Sequence, residues 1–422
     1  MDDVAIVGGG ICGLALALNL QRRGIGCTVY ERAEEIMPLG VGITLLPHAM
    51  REFAALGVAD AILAAGIENR ESCFFNRFGQ LIYREDRGRF AGYALPEVGI
   101  HRGRLHAILY AAALERLGAA RIRLGHQCVG VDQAEDGVRV NFVATAKQDV
   151  LESAKARVVV DCEGINSALR AQFYPGEPVA FAGINTWRGV TRHAPILSGR
   201  SYLRIGALRS GKMVIYPIAD DVDGDASGRQ LINWVAEFQR DDFERNDWNQ
   251  AGRAEDFIGL FEAWRYAWLD VPALIRNAEQ ILEYPMVDRD PVERWSFGRV
   301  TLAGDAAHPM YPRGSNGAAQ AVIDARTLAD CLAGAADPRD ALRAYEAVRR
   351  EVTAKIVRTN RAHPPDVIIA RVEERVGDRP FDDLERYVTQ DELRALSENY
   401  KRIAGFTVAD VAASSAPQKL PG

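Results

Sequence analysis

Hydrophobic positions fall along this chain in two rhythms. Residues 4–7 form a short unbroken apolar run. Glycines follow, and residues 11–23 then repeat their apolar side chains at helical spacing. A second apolar run, 27–30, completes a strand–helix–strand unit. Downstream the spacing predicts a helix over 47–56 ended by Gly57. It predicts a strand pair over 72–84 turning at Phe78 and Gly79, and a helix from His101 to Leu117 ended by Gly118. Short alternating strands follow at 121–124, 129–133 and 138–143. The run 157–162 is continuous in the manner of a strand buried on both faces. From about 179 to 284 the rhythm changes to alternation, at 182–191, 201–205, 212–217 and 230–237. A polar turn lies at 220–228, and helical stretches are predicted over 255–264 and 271–277. The first rhythm returns with a strand over 299–302 and helices over 317–332 and 338–361. In the first of these helices Ala318, Ala321, Val322, Ala325, Leu328, Ala329 and Leu332 share one face. The segment after His363 is charged and helical at best, and 412–422 is expected to be disordered. The fold class is α/β, α+β overall. A Rossmann-like domain with a parallel sheet is interrupted by a domain with a mainly antiparallel sheet, and C-terminal helices follow.

Composition narrows the partners. In 422 residues, 51 Lys and Arg stand against 57 Asp and Glu, a net charge of −6 that argues against nucleic acid. No stretch is apolar enough to span a bilayer. The start Met-Asp-Asp runs straight into the first strand, which leaves no room for a leader; a cytoplasmic protein is expected. The six cysteines are scattered without a C-x-x-C pair, the pattern of buried free thiols rather than metal ligands.

Three segments carry candidate chemistry. Gly8, Gly10 and Gly13 have the spacing G-x-G-x-x-G between a strand and a helix. Glu31 ends the next strand, with Arg32 beside it. Such a turn brings a helix N-terminus to a pyrophosphate, and the acid accepts hydrogen bonds from ribose hydroxyls. This unit alone does not separate FAD from NAD. Near the end of the α/β pattern, a strand leads into Gly304-Asp305. The loop Pro309-Met-Tyr-Pro312-Arg-Gly314-Ser-Asn316-Gly317 then opens a helix. An aspartate there suits a ribityl hydroxyl. Backbone N–H groups at Gly314, Ser315, Asn316 and Gly317 suit the pyrimidine edge of a flavin, where negative charge develops on reduction. Between the two lies Asp161-Cys-Glu163-Gly164-Ile-Asn-Ser167-Ala-Leu-Arg170.

These three segments, in this order, resemble the single-component flavoprotein aromatic hydroxylases, the family of 4-hydroxybenzoate 3-hydroxylase. The stretches 183–190, 233–235, 284–291 and 307–312 are similar to its phenazine-tailoring branch, that of 5-methylphenazine-1-carboxylate 1-monooxygenase. The resemblance implies an FAD domain over 1–73, 99–178 and 283–362. It implies a substrate domain over 74–98 and 179–282, a helical segment over 363–411 and a tail over 412–422. Gly8, Gly10, Gly13, Glu31 and Arg32 would hold the ADP half of FAD. Val41, Gly42, Arg102, Asp305 and residues 314–317 would hold the flavin half. The Asp-Gly motif of the family carries Glu163 in place of aspartate.

No second dinucleotide fingerprint is present, so the resemblance implies that NADH or NADPH docks transiently, reduces FAD and leaves. Dioxygen then reacts through a flavin C4a-hydroperoxide to hydroxylate an aromatic or N-heteroaromatic ring, phenazine-like or an aromatic carboxylate, with or without loss of a carboxylate. No catalytic triad is expected; the cofactor carries the difficult chemistry. Trp187, Tyr216 and Met310 are candidates for a wall beside the ring. Arg188, Arg204 and Arg313 are candidates for a carboxylate or phenolate. His308 and His48 border the same motifs. A halogenase is disfavoured, because Trp264 and Trp268 lack the W-x-W-x-I-P spacing. An FAD-dependent reductase or dehydrogenase, or a non-catalytic FAD-binding partner protein, is the alternative. A small aromatic molecule and dioxygen are the expected partners, in a monomer or homodimer.

Overall fold

Strand Asp2–Val7 lies at the centre of an eight-stranded sheet, flanked on one side by Ala154–Asp161 and on the other by Cys27–Tyr30, both parallel to it. Val300–Leu302 extends the parallel run beyond Ala154–Asp161, and Ile122–Arg123 extends it beyond Cys27–Tyr30. The antiparallel strands His126–Gln133 and Val138–Ala144 join from the side. The computed structural model describes residues 2–37, 40–220, 222, 224, 227–239, 250–362 and 364–413. Helices Ile11–Arg22, Arg102–Leu117 and Gly317–Gly334 cover one face of this sheet, and their small apolar residues pack into one core. Strand ends of neighbouring parallel strands point the same way, so the fingerprint turn and Gly304-Asp305 emerge at one edge.

The second rhythm forms another eight-stranded sheet. Its order is Gln250–Ala251, Ala278–Asp288, Ala180–His193, Gln230–Gln239, Gly211–Ala219, Ser201–Ala207, Glu71–Phe75 and Leu81–Asp86. All pairs are antiparallel except Ser201–Ala207 with Glu71–Phe75. The 72–84 hairpin therefore joins this sheet, not the parallel one. Period-two alternation sends successive side chains to opposite faces. One face holds Trp187, Ile215, Trp234 and Ala236 in a core closed by Phe257, Phe261 and Trp264. The other face looks toward the parallel-sheet domain.

Two features differ from the sequence expectation. The stretch 255–264 forms two short 3-10 turns, Ala254–Asp256 and Ile258–Leu260, instead of an α-helix. The Trp264 ring fills a notch where a Cβ on Gly206 would lie 2.4 Å from it, and Phe261 packs beside Gly211. Seating those rings prevails over helix propensity. A small three-stranded sheet, Gly42–Leu45, Val98–His101 and Ile67–Glu68, joins the two domains. At its centre Gly99 lies so close to the second sheet that a Cβ would sit 2.4 Å from the Pro217 carbonyl oxygen.

After Ala362 the chain forms helices Val367–Val376, Gln390–Ile403 and Val408–Ala413. Ile368, Ile369, Val372 and Leu393 bury their side chains against Phe74, Ile82 and Tyr83. The expected disorder from 412 is corrected at its first two residues, which end a helix; 414–422 lies outside the described residues. All six cysteines are free and buried. Among the described residues no helix is long and apolar enough to cross a membrane.

Candidate active site

The first turn has the shape its glycines require. Gly8 takes φ +103°, and a Cβ there would lie 2.4 Å from the Cys162 carbonyl oxygen. A Cβ on Gly13 would lie 1.9 Å from the Gly8 oxygen, so helix and strand touch backbone to backbone. Gly10 faces open space. Helix Ile11–Arg22 begins there with no side-chain cap and no acid in its first turn. Its free N–H groups and positive end are therefore available to an anion. Glu31 is fixed beside the turn: its carboxylate accepts from Gly9 N at 2.6 Å and from Ala33 N at 2.8 Å. Arg32 is exposed next to it. His106 Nε2 lies 2.6 Å from the Gly9 oxygen and steadies the turn from the neighbouring helix.

The 161–170 segment braces both glycine motifs. Ser167 caps the following helix by accepting from Arg170 N at 2.8 Å, and its hydroxyl bonds Asp161. The longer Glu163 side chain folds back to accept from Leu169 N at 3.3 Å and from the Ser167 hydroxyl at 3.4 Å. Burial pushes the Glu163 carboxyl up to about 8, helped by the nearby Asp161 charge. Burial likewise raises Asp161. Arg170 is fully buried, paired with Glu177, and donates to the carbonyls of Ala306 at 2.7 Å and Ala307 at 2.9 Å. It thus ties this segment to the turn that carries Asp305. That role was not assigned from sequence, although Arg170 stands in the motif.

Asp305 opens onto the cleft at the same sheet edge. Its carboxylate is solvent-accessible yet ringed closely by protein, and this partial desolvation raises it above the usual carboxylate range. The Arg102 charge acts on it from the start of helix Arg102–Leu117. Arg102 N donates to the Val41 oxygen at 2.9 Å, which fixes the strand entering Gly42. Gly42 N donates to Asn233 Oδ1 at 2.7 Å, and a Cβ on Gly42 would collide with that side chain. Asn233 thus ties the strand at Gly42 to the second sheet, a role that sequence reading did not assign to it.

Helix Gly317–Gly334 starts like the first helix, without a side-chain cap and without an acid in its first turn. The preceding loop is held from the C-terminal segment. A Cβ on Gly314 would lie 1.8 Å from the Tyr400 hydroxyl; Asn316 Nδ2 donates to that hydroxyl at 3.0 Å, and it donates to Asn360 Oδ1 at 2.9 Å. The Asn316 side chain therefore faces Tyr400, and Ser315 takes a left-handed φ of +58°. Met310 is half-buried at the head of the loop. His308 is a structural residue: its Nε2 lies 2.5 Å from Asp324, which also accepts from Gly304 N and pairs with Arg349. His48 is buried against Phe406, and burial lowers it to about 3, so it is neutral.

The sheet face toward this cleft carries Arg188, Tyr202, Arg204, Lys212, Tyr216 and Glu237. Tyr202 and Tyr216 stack at 4.9 Å and pack with Val190, Val214 and Val41. Burial raises Tyr216 and keeps it neutral. Trp187 does not belong to this wall. It is fully buried on the opposite face, stacked on Phe238 and Phe257, because alternation places it and Arg188 on opposite sides. Arg204 is also committed within the protein: it donates to Ser72 at 2.7 Å and stacks over Tyr202 and Phe74. Lys212 pairs with Glu237 at 2.9 Å and Asp366 at 2.6 Å, and Arg313 lies 3.6 Å from Asp366. A cavity of about 620 Å³ opens beyond this ion cluster, against helix Val367–Val376. Its lining includes neither Gly10 nor Asp305 nor Arg188, so it is not the cleft that the glycine motifs address.

Two uncapped helix ends, with Glu31 beside one and Asp305 before the other, give the parallel sheet the features of an FAD-binding fold. The orphan N–H groups match the pyrophosphate and the electron-rich flavin edge, and the accessible acids match the sugar hydroxyls. The chain belongs to the FAD-binding-domain family, whose model matches residues 1–211 and 267–360. It is 42% identical to phenazine 1,6-dicarboxylic acid hydroxylase PhzS of Lysobacter antibioticus, over 85% of this chain and 89% of the other. It is 33% identical to 3-amino-4-hydroxybenzoate 2-monooxygenase PtmB3 of Streptomyces platensis, over 97% of both. Its fold matches Klebsiella pneumoniae HpxO, solved with FAD and uric acid, at a TM-score of 0.73 and 21% identity over 97% of both chains. The protein is an FAD-dependent monooxygenase.

Proposed function

We propose that the protein hydroxylates an aromatic or N-heteroaromatic ring, phenazine-like or bearing a carboxylate, with NADH or NADPH as transient reductant and dioxygen as oxidant. The observation that supports this best is the polar inner face of the second sheet, whose Asn233 accepts from Gly42 N beside the Val41 oxygen that accepts from Arg102 N. In this reading residues 1–73, 99–178 and 283–362 form the FAD domain, and 74–98 with 179–282 form the ring-binding domain. Gly8, Gly10, Gly13, Glu31 and Arg32 hold the ADP half; Val41, Gly42, Arg102, Asp305 and the backbone of 314–317 hold the ribityl and flavin half. The chemistry supplied by bound FAD is reductive activation of dioxygen for transfer of one oxygen atom. The chain's own task is to orient the ring, exclude water and steady charge. The Tyr202–Tyr216 stack and Val41 provide a flat apolar wall against which a planar ring packs. The uncapped helix at Gly317 stabilises negative charge at the flavin edge. The protein acts in the cytoplasm as a monomer or homodimer.

The test is to purify the protein, confirm bound yellow flavin, and follow NADH and NADPH oxidation under oxygen with phenazine-1-carboxylate, phenazine-1,6-dicarboxylate and 3-hydroxybenzoate. The expected result is ring-stimulated oxidation with a hydroxylated product by mass spectrometry. Oxidation that yields only hydrogen peroxide with every ring overturns the hydroxylase reading and favours a reductase.

A further inference from the structure

Four buried or half-buried cations line the inner face of the second sheet and the loop opposite it, and three have partners. Lys212 holds two carboxylates, Arg204 bonds Ser72 and approaches Asp366, and Arg313 approaches Asp366 as well. Arg188 differs. Among the described residues its guanidinium makes no hydrogen bond and no ion pair, and its Nε is buried without a partner. Glu237, the acid whose charge acts on it, is already bonded to Lys212 at 2.9 Å. The other groups acting on it are the phenols Tyr216 and Tyr284 and a further cation, Arg102. A half-buried cation without a counter-charge is less favourable than a paired one, and an anionic ligand would complete it.

The surroundings also say what would complete it. The Arg188 guanidinium lies 5.4 Å from the centre of the Tyr284 ring, which covers one side of it. Arg188 is two residues from Val190 on the same sheet face, so the two side chains are about 7 Å apart along the strand. Val190 packs with Tyr216 and Val41 at the wall where a ring would lie. Val190 pairs with Asn233, which accepts from Gly42 N at 2.7 Å, and the neighbouring Val41 oxygen accepts from Arg102 N at 2.9 Å, so the strand that carries Arg188 borders the cleft at Arg102. A guanidinium offers two parallel N–H donors in a fixed fork, and a carboxylate is the planar anion that matches it.

We propose that Arg188 is the specificity-determining residue of the ring site: its guanidinium pairs with a carboxylate carried by the substrate ring, so that the enzyme selects aromatic acids over neutral rings. This rests on the hydroxylase reading above.

The test uses the FAD-loaded full chain. Binding of phenazine-1-carboxylate and phenazine-1-carboxamide is followed by the change in flavin absorbance, and kcat and KM are measured for each. The wild type binds the acid at least tenfold more tightly than the amide. Arg188→Gln raises Kd and KM for the acid by about 100-fold or more, as expected when one member of a buried charged pair is removed. It leaves the amide within a few-fold of wild type, so the two compounds become nearly equal. Arg188→Lys keeps the charge without the fork and recovers part of the preference for the acid. FAD content and thermal midpoint, measured on each variant, separate this from a folding defect. The acid-to-amide ratio of the wild type tests the proposal without any variant. Equal use of acid and amide by a wild type that hydroxylates both overturns the assignment alone. A folded, FAD-loaded Arg188→Gln that keeps the wild-type preference overturns it too. If the wild type hydroxylates no ring, the proposed function falls and the assignment falls with it.

Discussion

The two faces of the second sheet are built from alternate residues of the same strands, yet they are opposites. Trp187, Trp234 and Ile215 point one way into a dry aromatic core. Arg188, Val235 and Tyr216 point the other way, among charges and phenols at the cleft. The outer face has its large side chains buried against Phe257, Phe261 and Trp264, and its job is stability. The inner face keeps polar groups in a desolvated place, which lowers stability unless each is paired. Among the described residues most are paired with each other, and Arg188 Nε is left without a partner. Polar groups retained inside a protein where apolar ones would fold as well mark the surface that meets a ligand.

That contrast can be broken from either side. The largest effect is expected from Asp305→Ala. Asp305 is exposed and in the proposed function holds the ribityl chain, so the variant should fold, purify nearly colourless and lose more than about 100-fold of its NAD(P)H-dependent activity; absorbance of the purified protein decides it. Full retention of FAD would show that Asp305 is not a cofactor residue. Trp187→Ala should do the reverse. Removing a fully buried tryptophan costs about 3–5 kcal/mol, so the denaturation midpoint falls steeply while the ratio of activities toward acid and amide rings stays put. A changed ratio would mean that Trp187 reaches the ring after all.

A smaller effect is expected from Gly314→Ala. The added methyl meets the Tyr400 hydroxyl, and φ at 314 is +88°, so the loop must shift; FAD affinity by fluorescence titration should weaken about tenfold. The smallest concerns Glu163. Its carboxyl is raised in the folded protein to about 8, first by burial and then by Asp161. The folded state therefore binds this proton more tightly than the unfolded state, whose glutamate lies near 4.3. The stabilisation is complete below about pH 4 and is lost as pH rises through about 8. Glu163→Gln should flatten the fall in thermal midpoint between about pH 5 and 9. An unchanged slope would show that folding does not raise the Glu163 carboxyl.

Much of this was legible in the chain. The fingerprint turn is local, so glycine spacing, an apolar strand and a terminal acid sufficed: strand Cys27–Tyr30 forms where it was expected, and helix Ile11–Arg22 ends one residue early. Alternation likewise located the strands of the second sheet to within a few residues. It did not say which face turns inward. Trp187 and Arg188, adjacent in sequence, were both assigned to the ring site, and period-two geometry permits only one. Partners distant along the chain were invisible. Tyr400 secures the loop at Gly314 from a segment that read as a charged tail, and Asn233 reaches Gly42 across the domain boundary. Neither contact leaves a pattern in local sequence, because each depends on how two sheets meet. The helix expected over 255–264 failed for a related reason: its aromatic rings answer to notches at Gly206 and Gly211 in the facing strands.

The central claim is that this cleft delivers an oxygen atom to a ring and does not merely discharge electrons to dioxygen. A single turnover measures it directly. The FAD-loaded protein is reduced with NADH or NADPH without air, given phenazine-1-carboxylate, and mixed with isotopically labelled dioxygen. One labelled oxygen atom in the recovered ring product is the predicted result. Reducing equivalents recovered wholly as labelled hydrogen peroxide, with the ring unchanged, would contradict the account.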